Sequence, residues 1–443
     1  GGIVMELICK NVGMVNNADI KIDGITVIAG ENDTGKSTIS KLVYTLIKSS
    51  SKADVLRLYR LYKSKEIKDT LNDMIVSTRQ KGEDFFIPNM ISEEIIKEFL
   101  DIYLDNTYKR TEKQDIIEKI FISYFNREEI IISKSFFKDL KKQVIDLLEE
   151  DLDEINICKY KLINYIESVF KGDICNKYTE QETNIVLKES SKELLNIIIN
   201  DNQLEEYHLN GDLALQDATL IESPIILHMF ELIYNAQTIL EKQDDFSFMF
   251  DRPYVSIHMK DLISKLRQKV QLDFIDESYR PVSKIIKGNM SYNSVENAFF
   301  FSKNSKDFNI MNTASGIKAF GILQMLLERG FLSKKNILIL DEPEVNIHPK
   351  WQIEYARLLV ELVEHYGFKI LLTSHSPYFI EAIKIYGDKS SIKEDINFYL
   401  AEKQERNKTV NIVSVTNSLQ KVFDQLTEPL ETLEIDDIGD LND

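Results

Sequence analysis

The chain has only three cysteines, Cys9, Cys158 and Cys175, widely scattered and odd in number. That distribution excludes a disulfide framework and a cysteine-based zinc site and fits reduced thiols. No apolar run approaches the roughly eighteen residues of a membrane helix, and no basic segment followed by an apolar run marks a secretory signal. A cytoplasmic protein without membrane association is expected. Positive charge is also short, with 54 Lys and Arg against 72 Asp and Glu and a formal net charge of −18. Such a chain repels nucleic acid as a whole, so any DNA or RNA contact must come from a local basic patch. After Lys421 there are eight acidic residues and no Lys or Arg, which reads as a solvated acidic tail over 416–443 or a docking strip for a basic partner.

Glycine and proline are nearly missing from one long stretch. Between Lys36 and Gly211 only Gly82, Gly172 and Pro88 occur, and few breakers imply long helices. Apolar residues there recur at helical spacing: Ile91, Ile95, Ile96, Phe99 and Ile102, then Ile117, Ile120, Phe121 and Tyr124, then Leu140, Val144, Leu147 and Leu148. A helical insertion over 51–245 is expected, its last helix opening at Ser223-Pro224, where serine can cap and proline suits the first helical position.

What surrounds that stretch has a different rhythm. Short apolar runs over Glu6–Cys9 and Ile20–Ile22, broken at Gly13, Asn16, Asn17 and Gly24, suggest an antiparallel meander. Ile25–Ala29 is a continuous buried-type strand ending at Gly30. From about residue 280 the chain shows a hairpin-like "GNMSYNSVENAFFFS", a helix from Ser315 to about Arg329, the strand "NILIL", a helix over Pro349–Tyr366, and the strand "KILLTS". Apolar strands alternating with amphipathic helices indicate an α/β sheet with covered faces. The expected domains are 1–50 and 246–415, forming one α/β domain, the intervening helical insertion, and the tail.

The segment "GENDTGKST", comprising Gly30, Glu31, Asn32, Asp33, Thr34, Gly35, Lys36, Ser37 and Thr38, has the G-x-x-x-x-G-K-[ST] pattern between an expected strand and an expected helix. The glycines let backbone N–H groups wrap phosphates, Lys36 supplies charge, and the Ser37 hydroxyl can hold Mg2+. In "NILILDEPEVNIHP" an apolar strand runs into Asp341 and Glu342, two carboxylates that burial makes costly unless they are used. Asp341 suits a metal shell, and Glu342 suits a general base acting on water. "KILLTSHSP" places His375 after another buried-type strand, where it can sense a terminal phosphate. Ser315 and Gly316 open a helix whose amides can face an anion. His348 is a weaker interface candidate, while His208, His228, His258 and His365 read as ordinary packing or surface residues.

Taken in order, the Gly30 loop, Ser315-Gly316, Asp341-Glu342-Pro343 and His375 resemble the Walker A, signature, Walker B and switch-histidine elements of ABC-type ATPases. Within that class "DEPEVNIHPKWQ", "SGIKAFGIL" and "TSHSPYFI" resemble ATPases related to the overcoming-lysogenization-defect (OLD) family, including ATPase subunits of anti-phage systems such as Septu. The resemblance covers about 1–50 and 280–415. It implies an ABC-type nucleotide-binding domain, ATP and Mg2+ as ligands, and a head-to-tail dimer with Ser315-Gly316 facing the partner's nucleotide. It further implies a defence role exerted through a separately encoded effector such as a nuclease or toxin, since the segment after His375 is short for a toprim domain. An SMC-like DNA-binding or DNA-repair ATPase is the alternative. No Phe, Tyr or Trp precedes Gly30 to stack on adenine, and Gln80 is the candidate for the coupling glutamine.

Overall fold

Alternation of inward and outward residues makes strands of the N-terminal runs, β1 (Met5–Val12) and β2 (Val15–Ile22). They pair antiparallel from Met5 with Ile22 to Val12 with Val15. β3 (Ile25–Ala29) is buried throughout and feeds α1 (Lys36–Ser50). The computed structural model describes residues 3–52, 55–80, 93–104, 107–127, 133–149, 154–238, 254–269, 281–404 and 408–427. It divides the chain into two compact units, one of 1–51 with 162–443 and one of 52–161.

The smaller unit is helical, as the scarcity of breakers implies. It contains α2 (Val55–Gln80), α3 (Glu93–Leu104), α4 (Arg110–Arg127), α5 (Lys134–Glu149) and the first part of α6 (Glu154–Phe170). Ile95, Ile96, Phe99, Ile117, Phe121, Leu140, Val144 and Leu148, the helically spaced positions, close into its own apolar core. Ile91 and the side chain of Gln80 lie outside the described residues.

The helical insertion does not extend to residue 245. β4 (Thr183–Glu189), β5 (Lys192–Asn200), β6 (Gln203–Leu209) and β7 (Asp217–Ile221) occupy that region and join the main sheet. The physical reason lies in the turns. Ser190 and Ser191 (φ 47° and 66°) and Asp201 and Asn202 (φ 47° and 60°) all adopt the left-handed conformation that tight hairpins need. Glycine usually supplies it, so its scarcity hid two hairpins. Ser223-Pro224 does start a helical turn, but a short 3-10 one over Pro224–Leu227, with Ser223 Oγ accepting from Ile225 N. Then follow α7 (Phe230–Asn235), α8 (Ile257–Arg267) and α9 (Pro281–Ile286).

The later elements match their sequence signals. A separate three-stranded sheet holds β8 (Asn289–Asn293), β9 (Ala298–Lys303) and β10 (Lys306–Asn309). After it come α10 (Ser315–Glu328), β11 (Asn336–Asp341), α11 (Pro349–Tyr366), β12 (Lys369–Ser374), α12 (Pro377–Asp388), β13 (Ile396–Gln404) and β14 (Thr409–Ser414).

The main sheet runs β6-β5-β4-β1-β2-β14-β13-β3-β12-β11-β7. It is mixed α/β: β13, β3, β12, β11 and β7 are mutually parallel, and the meander side is antiparallel. Alternate residues feed two cores. Leu338, Leu340, Ile370 and Leu372 face one with α10 and α11, while Ile337, Ile339 and Leu371 face the other with α1. Each fully buried Leu or Ile contributes roughly 1.5–3 kcal/mol. The tail is not solvated from its start: Val422 is buried, and Leu419, Phe423 and Leu426 pack against the first core. Residues 428–443, most of the acidic run, lie outside the described residues.

Candidate active site

Because β3, β12, β11 and β7 are parallel, the segments leaving their C-terminal ends meet along one edge of the sheet, where open α/β sheets place ligands. The Gly30–Thr38 loop leaves β3 there. Gly30 has φ 151°, and a Cβ on it would lie 3.0 Å from Ala401 Cβ; Gly35, at φ 72°, begins α1 in the left-handed region. Asp33 also has positive φ, while Thr34 Oγ1 donates to Glu31 O at 2.7 Å and locks the turn. Asn32 is exposed and Thr38 half-buried. Lys36 is only 3% exposed; Nζ donates to Glu31 O at 2.6 Å and lies 3.6 Å from Glu342 Oε1. Burial pushes its pKa down, and the charges of Glu342, Asp341 and Glu344 oppose that.

Asp341 ends β11 in register with Thr373 of β12, whose Oγ1 donates to Asp341 Oδ1 at 2.6 Å. Burial raises the Asp341 pKa, partly offset by hydrogen bonds from Thr373 and Ser37. Glu342 then turns into the left-handed region at φ 48°, held by its N–H donating to Thr373 O and Oγ1, each at 3.1 Å. A non-glycine residue there costs about 1–3 kcal/mol, and the turn points consecutive carboxylates differently. His375 Nδ1 lies 3.4 Å from Glu342 Oε1. Thus Lys36, Ser37, Asp341, Glu342 and His375 converge.

Ser315 and Gly316 are not tied into this cluster. They begin α10, with Gly316 packed on the Trp351 ring, and among the described residues no hydrogen bond or ion pair joins them to the Gly30–Thr38 loop. His348 caps α11, its Nδ1 accepting from Lys350 N at 3.2 Å.

The family model for the AAA ATPase domain matches residues 4–380. The chain belongs to the AAA ATPase domain family. Among characterised sequences, the protein-arginine kinase of Clostridium perfringens is 26% identical over 250 residues, 54% of this chain and 68% of that one. Protein GrpE 1 of Buchnera aphidicola is 27% identical over 173 residues, 35% of this chain and 84% of that one. Among solved structures, the SMC head domain from Thermotoga maritima gives TM-score 0.38 at 12% identity, over 93% of this chain and 98% of that one. An SmcHead bound to the C-winged helix domain of ScpA gives 0.40 at 11%, over 93% and 97%. Among the described residues no helix of this ATPase is long and apolar enough to cross a membrane.

Several polar residues of the ATPase site escape motif reading. Glu222 follows β7 beside Asp341's strand, and its carboxylate meets Lys41 Nζ and His258 Nε2, both at 2.9 Å. Burial alone would raise its pKa, but His258 and Lys41 draw it down to about 2. His258, expected as a packing residue, is thus a paired one, its Nδ1 also 2.7 Å from Ser256 Oγ. The apolar run of β7 into Glu222 repeats the strand-to-acid junction of Asp341, a usable signal. His228 contacts Lys318 of α10, whose Nζ also donates to Thr313 O. Burial lowers the pKa of both bases. At the loop mouth Glu31 pairs with Lys403 at 2.9 Å and accepts from Gln425 at 3.4 Å. The Lys403 hydrogen bond holds Glu31 below the usual carboxylate range. Glu344 is buried behind His375.

Proposed function

We propose that this protein is an ABC-type ATPase in which ATP binding and hydrolysis switch the chain's conformation or dimerisation and thereby control a separately encoded effector, in prokaryotic anti-phage defence. The observation that carries the ATPase part is the convergence of Lys36, Ser37, Asp341, Glu342 and His375 at the ends of adjacent parallel strands. The loop's N–H groups and α1's N-terminus wrap the phosphates. Lys36, whose charge sits among Glu31 O and Glu342, exchanges those partners for phosphate oxygens. The Ser37 hydroxyl and the desolvated Asp341 carboxylate are the hard oxygen donors that would hold Mg2+. A cation held by these two residues would neutralise phosphate charge. Glu342 takes the proton of the attacking water as general base, and His375 contacts the terminal phosphate.

Ser315 and Gly316 then serve the partner copy's nucleotide in a homodimer, a reading supported by the lack, among the described residues, of any hydrogen bond or ion pair from them to the Lys36 loop of their own chain. The effector reading is supported by the OLD-type motifs and by a helical unit with its own core, which suits partner recognition.

Glu342→Gln should retain ATP binding and lose turnover by about 10²–10⁴-fold; unchanged steady-state hydrolysis removes Glu342 from the mechanism. Lys36→Ala should lose nucleotide affinity. Mixing Ser315→Arg with Lys36→Ala chains should restore one composite site per heterodimer and part of the activity. Activity in Ser315→Arg alone argues for a site within one chain. Affinity purification from the native operon should recover a second polypeptide, and recovery of this chain alone sinks the effector reading.

A further inference from the structure

Glu344 lies in the turn after β11, and its side chain is 2% exposed. One carboxylate oxygen carries its visible work. Oε1 accepts from Ser374 Oγ at 2.7 Å and from His375 N at 2.9 Å, and it stands 3.5 Å from His375 Nδ1. The other oxygen, Oε2, is buried without a hydrogen-bond partner, and so is His375 Nδ1. A second bridge runs parallel to the first: Gln352 Nε2 donates to Glu344 O at 3.3 Å and Ile347 O at 2.8 Å, while its Oε1 accepts from Ser376 Oγ at 2.7 Å. The turn after β11 and the segment after β12 are thereby tied together at both ends.

A glutamine carbonyl would accept the Ser374 and His375 protons as well as Oε1 does. What an amide lacks is negative charge, the part of Glu344 that burial disfavours. Burial does push its pKa up, with the Ser374 and His375 hydrogen bonds and the nearby imidazole opposing it. The charge faces the His375 ring from the side opposite solvent: the ring is 39% exposed, yet Nδ1 is enclosed between the Glu342 and Glu344 carboxylates.

We propose that Glu344 is the positioning residue of His375, clamping its main chain and setting a carboxylate against Nδ1 so that this nitrogen keeps its proton and Nε2 is the edge offered to a phosphate. This rests on the ATPase reading above and assigns Glu344 a task distinct from that of Glu342. Glu344 touches no reacting atom and acts through His375.

The test uses the full chain carrying Glu344→Gln, Ser374→Ala, His375→Gln or Glu344→Gln with His375→Gln. ATP affinity, kcat, KM and the 15N spectrum of the imidazoles are measured, with His375→Gln assigning the His375 signals. Glu344→Gln should bind ATP within about twofold of the parent and lose roughly 10–100-fold in kcat, the range for groups that orient a functional histidine. The Nδ1 resonance of His375 should shift toward the unprotonated form. The double variant should be no slower than His375→Gln, because the two act as one unit. Ser374→Ala keeps the carboxylate and should retain kcat within about threefold; a tenfold loss there puts the effect in the clamp alone and overturns the assignment of charge. Parent-like kcat and an unmoved His375 spectrum in Glu344→Gln overturn the proposal outright. If Glu344→Gln does not fold, a Ser374→Ala chain whose His375 Nδ1 is unprotonated overturns it equally, and a protonated Nδ1 with normal kcat supports it. Turnover that survives in Lys36→Ala and Glu342→Gln would instead remove the site assignment on which the proposal rests.

Discussion

The sheet unit and the helical unit of 52–161 differ in what they gather at their centres. In the sheet unit charged groups are buried and paired: Lys36 and Glu344 at the strand ends, and Lys48, Lys265, Asp217 and Asp261 in one desolvated network with separations of 2.7–3.0 Å. In the helical unit the core cluster is aromatic and aliphatic, with Phe99 and Phe121 ring centroids 4.6 Å apart. Several of its ion pairs, Arg60 with Asp101, Arg110 with Glu149 and Lys141 with Glu118, lie at the surface, although Lys63, paired with Glu66, and Lys161 are buried. Desolvated charge is what phosphate chemistry requires, and it costs stability; an apolar core supplies stability and leaves the surface free for contacts.

The sharpest way to break that contrast is to open the helical core. Phe121→Ala should cost the unit about 3–5 kcal/mol, read by hydrogen exchange as lost protection in α3, α4 and α5 while β3, β11 and β12 stay protected. Uniform loss across both units would mean that they do not differ in the way described.

A pH experiment on the sheet unit comes next. The folded-state pKa of Glu222, about 2, is below its ordinary value of 4.5, so its contribution is fully present above about 4.5 and is lost as pH falls from there toward 2. Replacing it by glutamine should flatten the denaturant-stability profile over that window by roughly 2–3 kcal/mol. An unchanged slope would mean that His258 and Lys41 do not hold the carboxylate.

Asp341 tests the cost of function. Its pKa is raised by burial, so its ionisation opposes folding as pH rises through the folded value. Asp341→Asn should therefore stabilise the nucleotide-free protein by about 1 kcal/mol in thermal melts while losing Mg2+-dependent turnover. A lower Tm would contradict the desolvation cost assigned to this carboxylate. The smallest effect belongs to the helical surface: Lys141→Ala, which removes the pair with Glu118, should change stability by less than about 1 kcal/mol. A larger loss in denaturant titration would mean that surface charge holds this unit together after all.

Motif spacing located the Gly30–Thr38 loop, Asp341, Glu342 and His375, because each sits where a continuous apolar strand stops. The same reasoning placed β11, α11 and β12 and the hairpin of β8 and β9. It failed over 183–221, where Ser190-Ser191 and Asp201-Asn202 turn hairpins without glycine, and for the tail, where Val422 docks on the core. It also passed over Glu344 and Glu222, whose importance appears only beside His375, His258 and Lys41.

By itself the sequence determined the local devices: a loop of nine consecutive residues with glycines at the two required positions, buried strands ending in acids, and helices set by apolar spacing. These are legible because contiguous residues impose their own backbone constraints. Only the tertiary structure decided which charges become neighbours and how far each is stripped of water. The parallel register of β7, β11 and β12 puts Glu222 and Asp341 at the ends of adjacent strands, and the turn of Glu342 leaves Glu344 buried against His375. A carboxylate's behaviour depends on its desolvation and its partners, and both are set by residues far away in the chain.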